Sequence, residues 1–351
     1  MILCIVIIVL LLLAYNKSQF ITNPSFKDKY EKKMMVYYVL VLSLLAALKF
    51  IVPGTDAAGY WGTYVNMPNY TFDYLYETFH DWWAYYFICK VFSLSGLPPH
   101  FWFGFLEAFY FGAVMLFIKK FSKDKLYSVL LSFTIGYFDF TFSGSKQTLA
   151  MGFALFSFVL FHDRKYLWSV LLMLIAYHCH YTSIISVAGF LLLQFWDMKS
   201  YWLIVVTGAL TVILGGQYFI THALMMLDSE HYSEIYLGNE SQYSLVVFFY
   251  LLIYLVVAFV WGTSYRKTDK KYSRLFFGGS LLCVVAQSMA QISADYFRLA
   301  YYFFPFMMVL VPNALDGANV RNKKQIKVIF AALTMFFLLY TSRDYNYLFM
   351  W

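Results

Sequence analysis

Charge is what this chain has little of. Asp, Glu, Lys and Arg supply 13% of its residues and hydrophobic side chains 62%, where a soluble domain has about 25% charged residues. That excludes an ordinary water-soluble fold and places the chain in a bilayer. Cysteine is also scarce. Cys4, Cys89, Cys179 and Cys283 lie scattered through apolar stretches with no CxxC spacing, which argues against a disulfide framework and reads as inert packing. Low-complexity linkers and matching halves are missing, so the two-fold build common in transporters has no support. The opening segment MILCIVIIVLLLLA carries no basic flank and no small-residue cleavage site, so it reads as a retained span rather than a signal peptide. The formal net charge of +7 suits basic loops facing anionic lipid and gives no case for nucleic acid.

What is present is a series of apolar segments. Taken as spans of about 20 residues, they fall at 2–15, 34–53, 100–118, 126–142, 146–161, 166–180, 181–196, 201–220, 244–264, 275–293, 297–314 and 327–342. Twelve spans predict an all-α polytopic protein, one multispanning domain over 1–351. Threading them leaves 21 of the 26 Lys and Arg residues in loops on one side, which the positive-inside rule makes cytoplasmic. Both termini then lie outside. The outer loop at 221–243 holds Asp228, Glu230, Glu234 and Glu240 but no Lys or Arg. Residues 73–96 imitate a span, but Asp73, Glu77 and Asp81 recur along one helical face. They read as an interfacial helix on the outer surface, within an outer region at 54–99.

Five cations, Lys49, Lys90, Lys146, Arg298 and Arg343, fall on or near the outer face. Insertion rules do not ask for them there, and an anion does. Lys146 and Gln147 follow Ser143–Gly144–Ser145, a capped turn where a helix starts. A cation in a first turn opposes the helix dipole, whereas the free N–H groups of that turn favour an anion. A phosphate between the two reconciles them; the plain alternative is a lysine reaching water or a lipid headgroup. Arg298 repeats the pattern, with Asp295 as either its ion-pair partner or a helix cap. Arg343 sits at a helix C-terminus, where a cation is favourable anyway. Lys49, below Pro53, either serves the anion or snorkels to headgroups.

Asp56 follows the helix-breaking Pro53–Gly54, with Tyr60 and Tyr64 at helical spacing. It is either a general base toward a sugar hydroxyl or a helix cap. His178 and His180 stand two apart, too far round a helix to share one metal. His180, at the turn, is either a functional imidazole or a histidine bonded to a backbone carbonyl. Of the many outer aromatics, Tyr60, Trp61, Tyr64 and Trp82 are candidates to stack on sugar rings.

Together these motifs resemble the EpsG group of Wzy-like bacterial polysaccharide polymerases. That group shows an Arg before G-T-D-x-x-x-Y, an Arg–Gln pair opening a span, an Ala-x-x-x-His-x-Ser-like span end and a late Arg-x-x-x-Tyr. Here the counterparts are Lys49 before Gly54–Thr55–Asp56 and Tyr60, then Lys146–Gln147 with Leu149–Ala150, Ala176 to His180 and Ser183, and Arg298 before Tyr302. Two family arginines are lysines in this chain, which keeps the charge and loses the bidentate fork. The resemblance implies a GT-C-like membrane fold in the bacterial cytoplasmic membrane with its active site outside. It implies a glycosyltransferase that joins undecaprenyl-diphosphate-linked oligosaccharide repeat units, with a flippase and a chain-length regulator as partners. Asp56 or His180 would be the base, and Lys146, Gln147, Arg298, Lys49, Tyr60 and Tyr302 would bind the diphosphate substrate. No DxD-like pair is present, so no metal or other cofactor is expected. Two other classes compete: a transporter or flippase of the same glycan, and a membrane O-acyltransferase.

Overall fold

The computed structural model describes residues 2–49, 56–134, 141, 144–195, 242–291, 297–316, 318 and 323–341. Every regular element among them is helical. The chain divides into two compact units, Met1–Ile184 with Lys324–Trp351, and Ile185–Lys323.

The first unit starts with α1 (Ile2–Phe20) and α2 (Pro24–Ala47). The side chain of Asn23 accepts from the N–H groups of Ser25 and Phe26, and Pro24 takes the first helical position; both choices suit a helix start. As a result α2 begins ten residues before the expected apolar span 34–53, inside the basic segment. Next come α3 (Asp56–Asn66), a 3-10 turn at Met67–Asn69, α4 (Phe72–Thr78), a 3-10 turn at His80–Trp82 and α5 (Trp83–Ser93). The single interfacial helix expected over 73–96 is therefore broken, and Asp81 leaves the line of Asp73 and Glu77. At about 1.5 Å per residue, neither α4 nor α5 is long enough for a hydrocarbon core of about 30 Å.

Four further helices follow: α6 (Pro99–Phe121), α7 (Lys125–Thr134), α8 (Ser145–His162) and α9 (Tyr166–Cys179). Helix α6 is the centre of the unit, packed on α2 and on α8, and α8 pairs with α9 as an antiparallel hairpin. Gly104 lets α6 approach α2: a Cβ there would lie 3.2 Å from both the Ser43 carbonyl oxygen and the Ala47 Cβ. Ser157 and Ser169 exchange hydrogen bonds across the α8–α9 hairpin. The turn between them places Arg164 at φ 61°, with the Lys165 N–H bonded to Leu160 O and the Arg164 N–H to Phe161 O. That is a Schellman ending with arginine in glycine's usual place.

Helix α10 (Ile184–Phe195) crosses the division between the units. The second unit contains α11 (Gln242–Trp261), α12 (Thr263–Thr268), α13 (Lys270–Ser288), α14 (Phe297–Ala300) and α15 (Phe304–Asp316). Helices α11, α13 and α15 pack on one another. The expected span 297–314 is interrupted at 301–303, so α14 is a single turn. Helix α16 (Lys323–Thr341) lies almost wholly in the first unit. The expected span 201–220 and most of the loop at 221–243 lie outside the described residues.

Among the described helices, Pro99–Phe121 has the length and apolarity of a membrane crossing, and Ile5–Phe20, Tyr166–Cys179, Val247–Trp261 and Phe304–Asp316 are apolar but shorter. Exposure adds to that picture. On α11, Phe249, Ile253, Val256 and Val260 are exposed while Leu251, Tyr254, Leu255 and Ala258 are buried. On α16, Ile329, Leu333 and Phe336 are exposed while Phe330, Ala331, Phe337 and Leu338 are buried. Apolar stripes at helical spacing would be an aggregation hazard in water and are suited to contact with lipid.

The basic end of the first unit is tied by ions. Lys125 bonds Asp28 at 2.6 Å and approaches Glu31 at 3.5 Å, and Lys32 also pairs with Asp28. Lys327 pairs with the buried Asp124, whose carboxylate also accepts from the Tyr15 hydroxyl and the Tyr127 N–H. These contacts join α1, α2, α7 and α16.

Candidate active site around Lys146

Helix α8 starts after Gly144, which has no side chain to cap it, and Lys146 is its second residue. The backbone just upstream is anchored where Thr148 donates its hydroxyl to Thr141 O. Lys146 is partly buried, and its side chain lies among aromatic rings. Its Nζ sits 3.7 Å from the Trp82 ring centroid, 5.8 Å from that of Tyr86 and 6.0 Å from that of Tyr60. Rings at these distances attract an ammonium through their quadrupoles, by about 0.5–2 kcal/mol. Asp56 is the carboxylate whose charge acts on Lys146.

The short helices α3 and α5 and the 3-10 turn between α4 and α5 build this box. Asp56 is the exposed first residue of α3, where a negative charge suits the dipole. Tyr60, one turn on, meets Tyr85 of α5 edge-to-face at 5.9 Å. Trp82 ends the 3-10 turn, and Tyr86 stacks on Phe79 at 3.9 Å. Three residues singled out in sequence, Asp56, Tyr60 and Lys146, are thus brought together. Tyr86 escaped notice, although it stands four residues after Trp82 and shares its helical side.

Gln147 is in the same first turn but buried. Lys49 is buried at 8% exposure, which rules out snorkelling. Its Nζ lies 4.2 Å from the Phe103 ring centroid, and its electrostatic partner is Glu107. Trp61 stacks on the same Phe103 at 6.2 Å and meets His100 at 4.5 Å.

His180 ends α9 in extended backbone, its N–H donating to Ala176 O. Its Nδ1 is 2.7 Å from the Thr182 hydroxyl and its ring stacks on Tyr181. Counting outward from the Ser157–Ser169 pair, at equal rise in both helices, Ser145 comes level with Tyr181. The 3-10 turn at Tyr181–Ser183 accordingly packs on α8, at the depth of Lys146. His178 instead lies against Trp83 at 5.3 Å.

Two expectations need correction. Lys90 is a structural cation: it is buried, and its Nζ donates to Met67 O at 2.8 Å and Pro68 O at 3.1 Å. No anion is needed to explain it. Tyr64 is buried too, with its hydroxyl donating to Leu97 O and its ring stacked on Trp102, so it offers no face to a sugar.

Arg298 and Tyr302 belong to the second unit. Arg298 lies in the single turn α14, too short for the dipole argument made from sequence, and Tyr302 is buried. Pro53, Gly54, Thr55, Ser143, Asp295 and Arg343 lie outside the described residues.

No curated protein and no solved structure matches the chain. A model of the EpsG family matches residues 32–350, nearly the whole length. The chain belongs to the EpsG family of Wzy-like polysaccharide polymerases.

Proposed function

We propose that this protein is a membrane glycosyltransferase that polymerises undecaprenyl-diphosphate-linked oligosaccharide repeat units on the outer face of the bacterial cytoplasmic membrane. The observation that carries this reading is the gathering of Asp56 and Tyr60 around Lys146 and Trp82. A carboxylate, an ammonium and aromatic faces are the groups that joining sugars from a diphosphate carrier requires. In the reaction, Asp56 or His180 removes the proton of an acceptor hydroxyl. The oxygen attacks the anomeric carbon of the donor glycan, the bond from that carbon to the diphosphate oxygen breaks, and undecaprenyl diphosphate leaves with the electron pair. Negative charge grows on the leaving oxygen, and preorganised cations stabilise it.

Lys146 is the first of those cations, backed by the N–H groups that open α8, with Gln147 beside it and Lys49 as a second charge. Tyr60 and Trp82 supply ring faces. Arg298 and Tyr302 enter the proposal only through the family's Arg-x-x-x-Tyr motif. A flippase delivering the substrate and a regulator of chain length are the partners such a reaction calls for.

The test is to incubate the purified protein, in lipid nanodiscs, with one lipid-linked oligosaccharide and no nucleotide sugar. A ladder spaced by the repeat unit is expected. In sealed vesicles, transfer of intact substrate across the bilayer without a ladder would support a transporter instead.

A further inference from the structure

Helix α6 carries a carboxylate where its composition gives no reason for one. Glu107 is 1% exposed, in the helix best suited to cross a membrane. A buried charge there is costly unless it is paired, and its position marks function. Its Oε2 is buried without a hydrogen-bond partner. The Thr141 hydroxyl donates to the carboxylate, and the Lys49 charge acts on it. Phe103 is one turn before Glu107 on the same face of α6, and Lys49 lies against that ring. The close approach at Gly104 brings the end of α2, and with it Lys49, to this face. Thr141 in turn receives the Thr148 hydroxyl through its backbone oxygen, in the first turns of the helix that carries Lys146.

We propose that Glu107 is a positioning residue. It engages Lys49 and Thr141 together, and so sets the two segments that bear Lys49 and Lys146 relative to each other around the leaving diphosphate. This rests on the polymerase reading above. Glu107 need not touch substrate. It gives Lys49 a buried carboxyl neighbour before the diphosphate arrives and holds the start of α8 through Thr141.

The experiment is a double-mutant cycle with Glu107→Gln, Lys49→Met and the pair combined, in nanodiscs. It has two readouts: thermal unfolding without substrate, and kinetics on the lipid-linked oligosaccharide. Each single variant strands a buried partner, so both should lose melting temperature, and the combined variant should lose clearly less than the sum. Folded Glu107→Gln should show kcat reduced about tenfold or more with KM within about threefold, the mark of an interaction made in the transition state. Glu107→Asp, which keeps the charge, should recover part of that rate. The combined variant should regain stability but not activity, since Lys49 is gone. Additive melting losses, or wild-type kcat in Glu107→Gln, would overturn the proposal. The melting cycle needs no substrate. Coupling between the two residues without any ladder from wild type would therefore refute the polymerase reading and leave the Glu107–Lys49 pairing standing.

Discussion

Two lysines, Lys90 of α5 and Lys146 of α8, differ in what surrounds the ammonium. Lys90 spends its hydrogen bonds on the carbonyls of Met67 and Pro68, closing the 3-10 turn after α3 onto α5. Lys90→Met strands those carbonyls and should cost about 1–3 kcal/mol of stability, measured as a lower melting temperature, with the polymerisation rate per folded molecule retained. Lys146 has aromatic rings where Lys90 has carbonyls. Its truncation to alanine removes a cation–π contact worth about 0.5–2 kcal/mol and leaves no buried carbonyl stranded. Trp82→Leu removes the nearest ring while leaving the ammonium in place. It should weaken polymerisation without abolishing it, and Trp82→Phe should recover more activity than Leu does; equal activity of the two would deny the ring a role.

Among the elements, the close approach of α2 to α6 is what sets Lys49. Gly104→Ala puts a methyl against the Ser43 carbonyl and Ala47, and overpacking of this kind costs about 1–3 kcal/mol. It should lower stability and activity together, whereas the same change at Gly112, with open space around its Cβ position, should do neither. The basic end of α2 gives a pH prediction. Hydrogen bonds from Lys125 first and Lys32 second hold the Asp28 carboxyl down to about 2. A depressed carboxyl stabilises the fold above its ordinary value, and that contribution is lost as pH falls from about 4 to about 2. Asp28→Asn should therefore melt lower than wild type at neutral pH and match it in strong acid. Glu31 runs the other way, since burial raises its carboxyl, so protonation there relieves the fold. Much of this layer was legible in sequence. Apolar runs located most helices, and the Gly144–Ser145 turn gave the start of α8. The Asn23–Pro24 start of α2 was hidden because hydropathy stops at the membrane edge and helices do not. The breaks at 79–82 and 301–303 were hidden because they contain aromatic residues and no proline or glycine.

For the whole molecule, the charge imbalance read from sequence resolves unevenly. Of the five cations set apart in sequence, Lys90 is tied to backbone, Lys49 lies against the Phe103 ring in the field of Glu107, and Lys146 lies in an aromatic box where the Asp56 charge acts on it. The motif order along the chain disclosed the family, because charged residues in apolar helices are too costly to be placed idly. It did not disclose the box, which depends on how three short helices fold over the start of α8. The most direct measurement is a side-by-side reaction of wild type and Lys146→Ala, equally inserted in nanodiscs and given one lipid-linked oligosaccharide. Wild type should yield a ladder and Lys146→Ala none, though it stays folded and melts lower only by the lost cation–π contact; a normal ladder from Lys146→Ala would contradict the account.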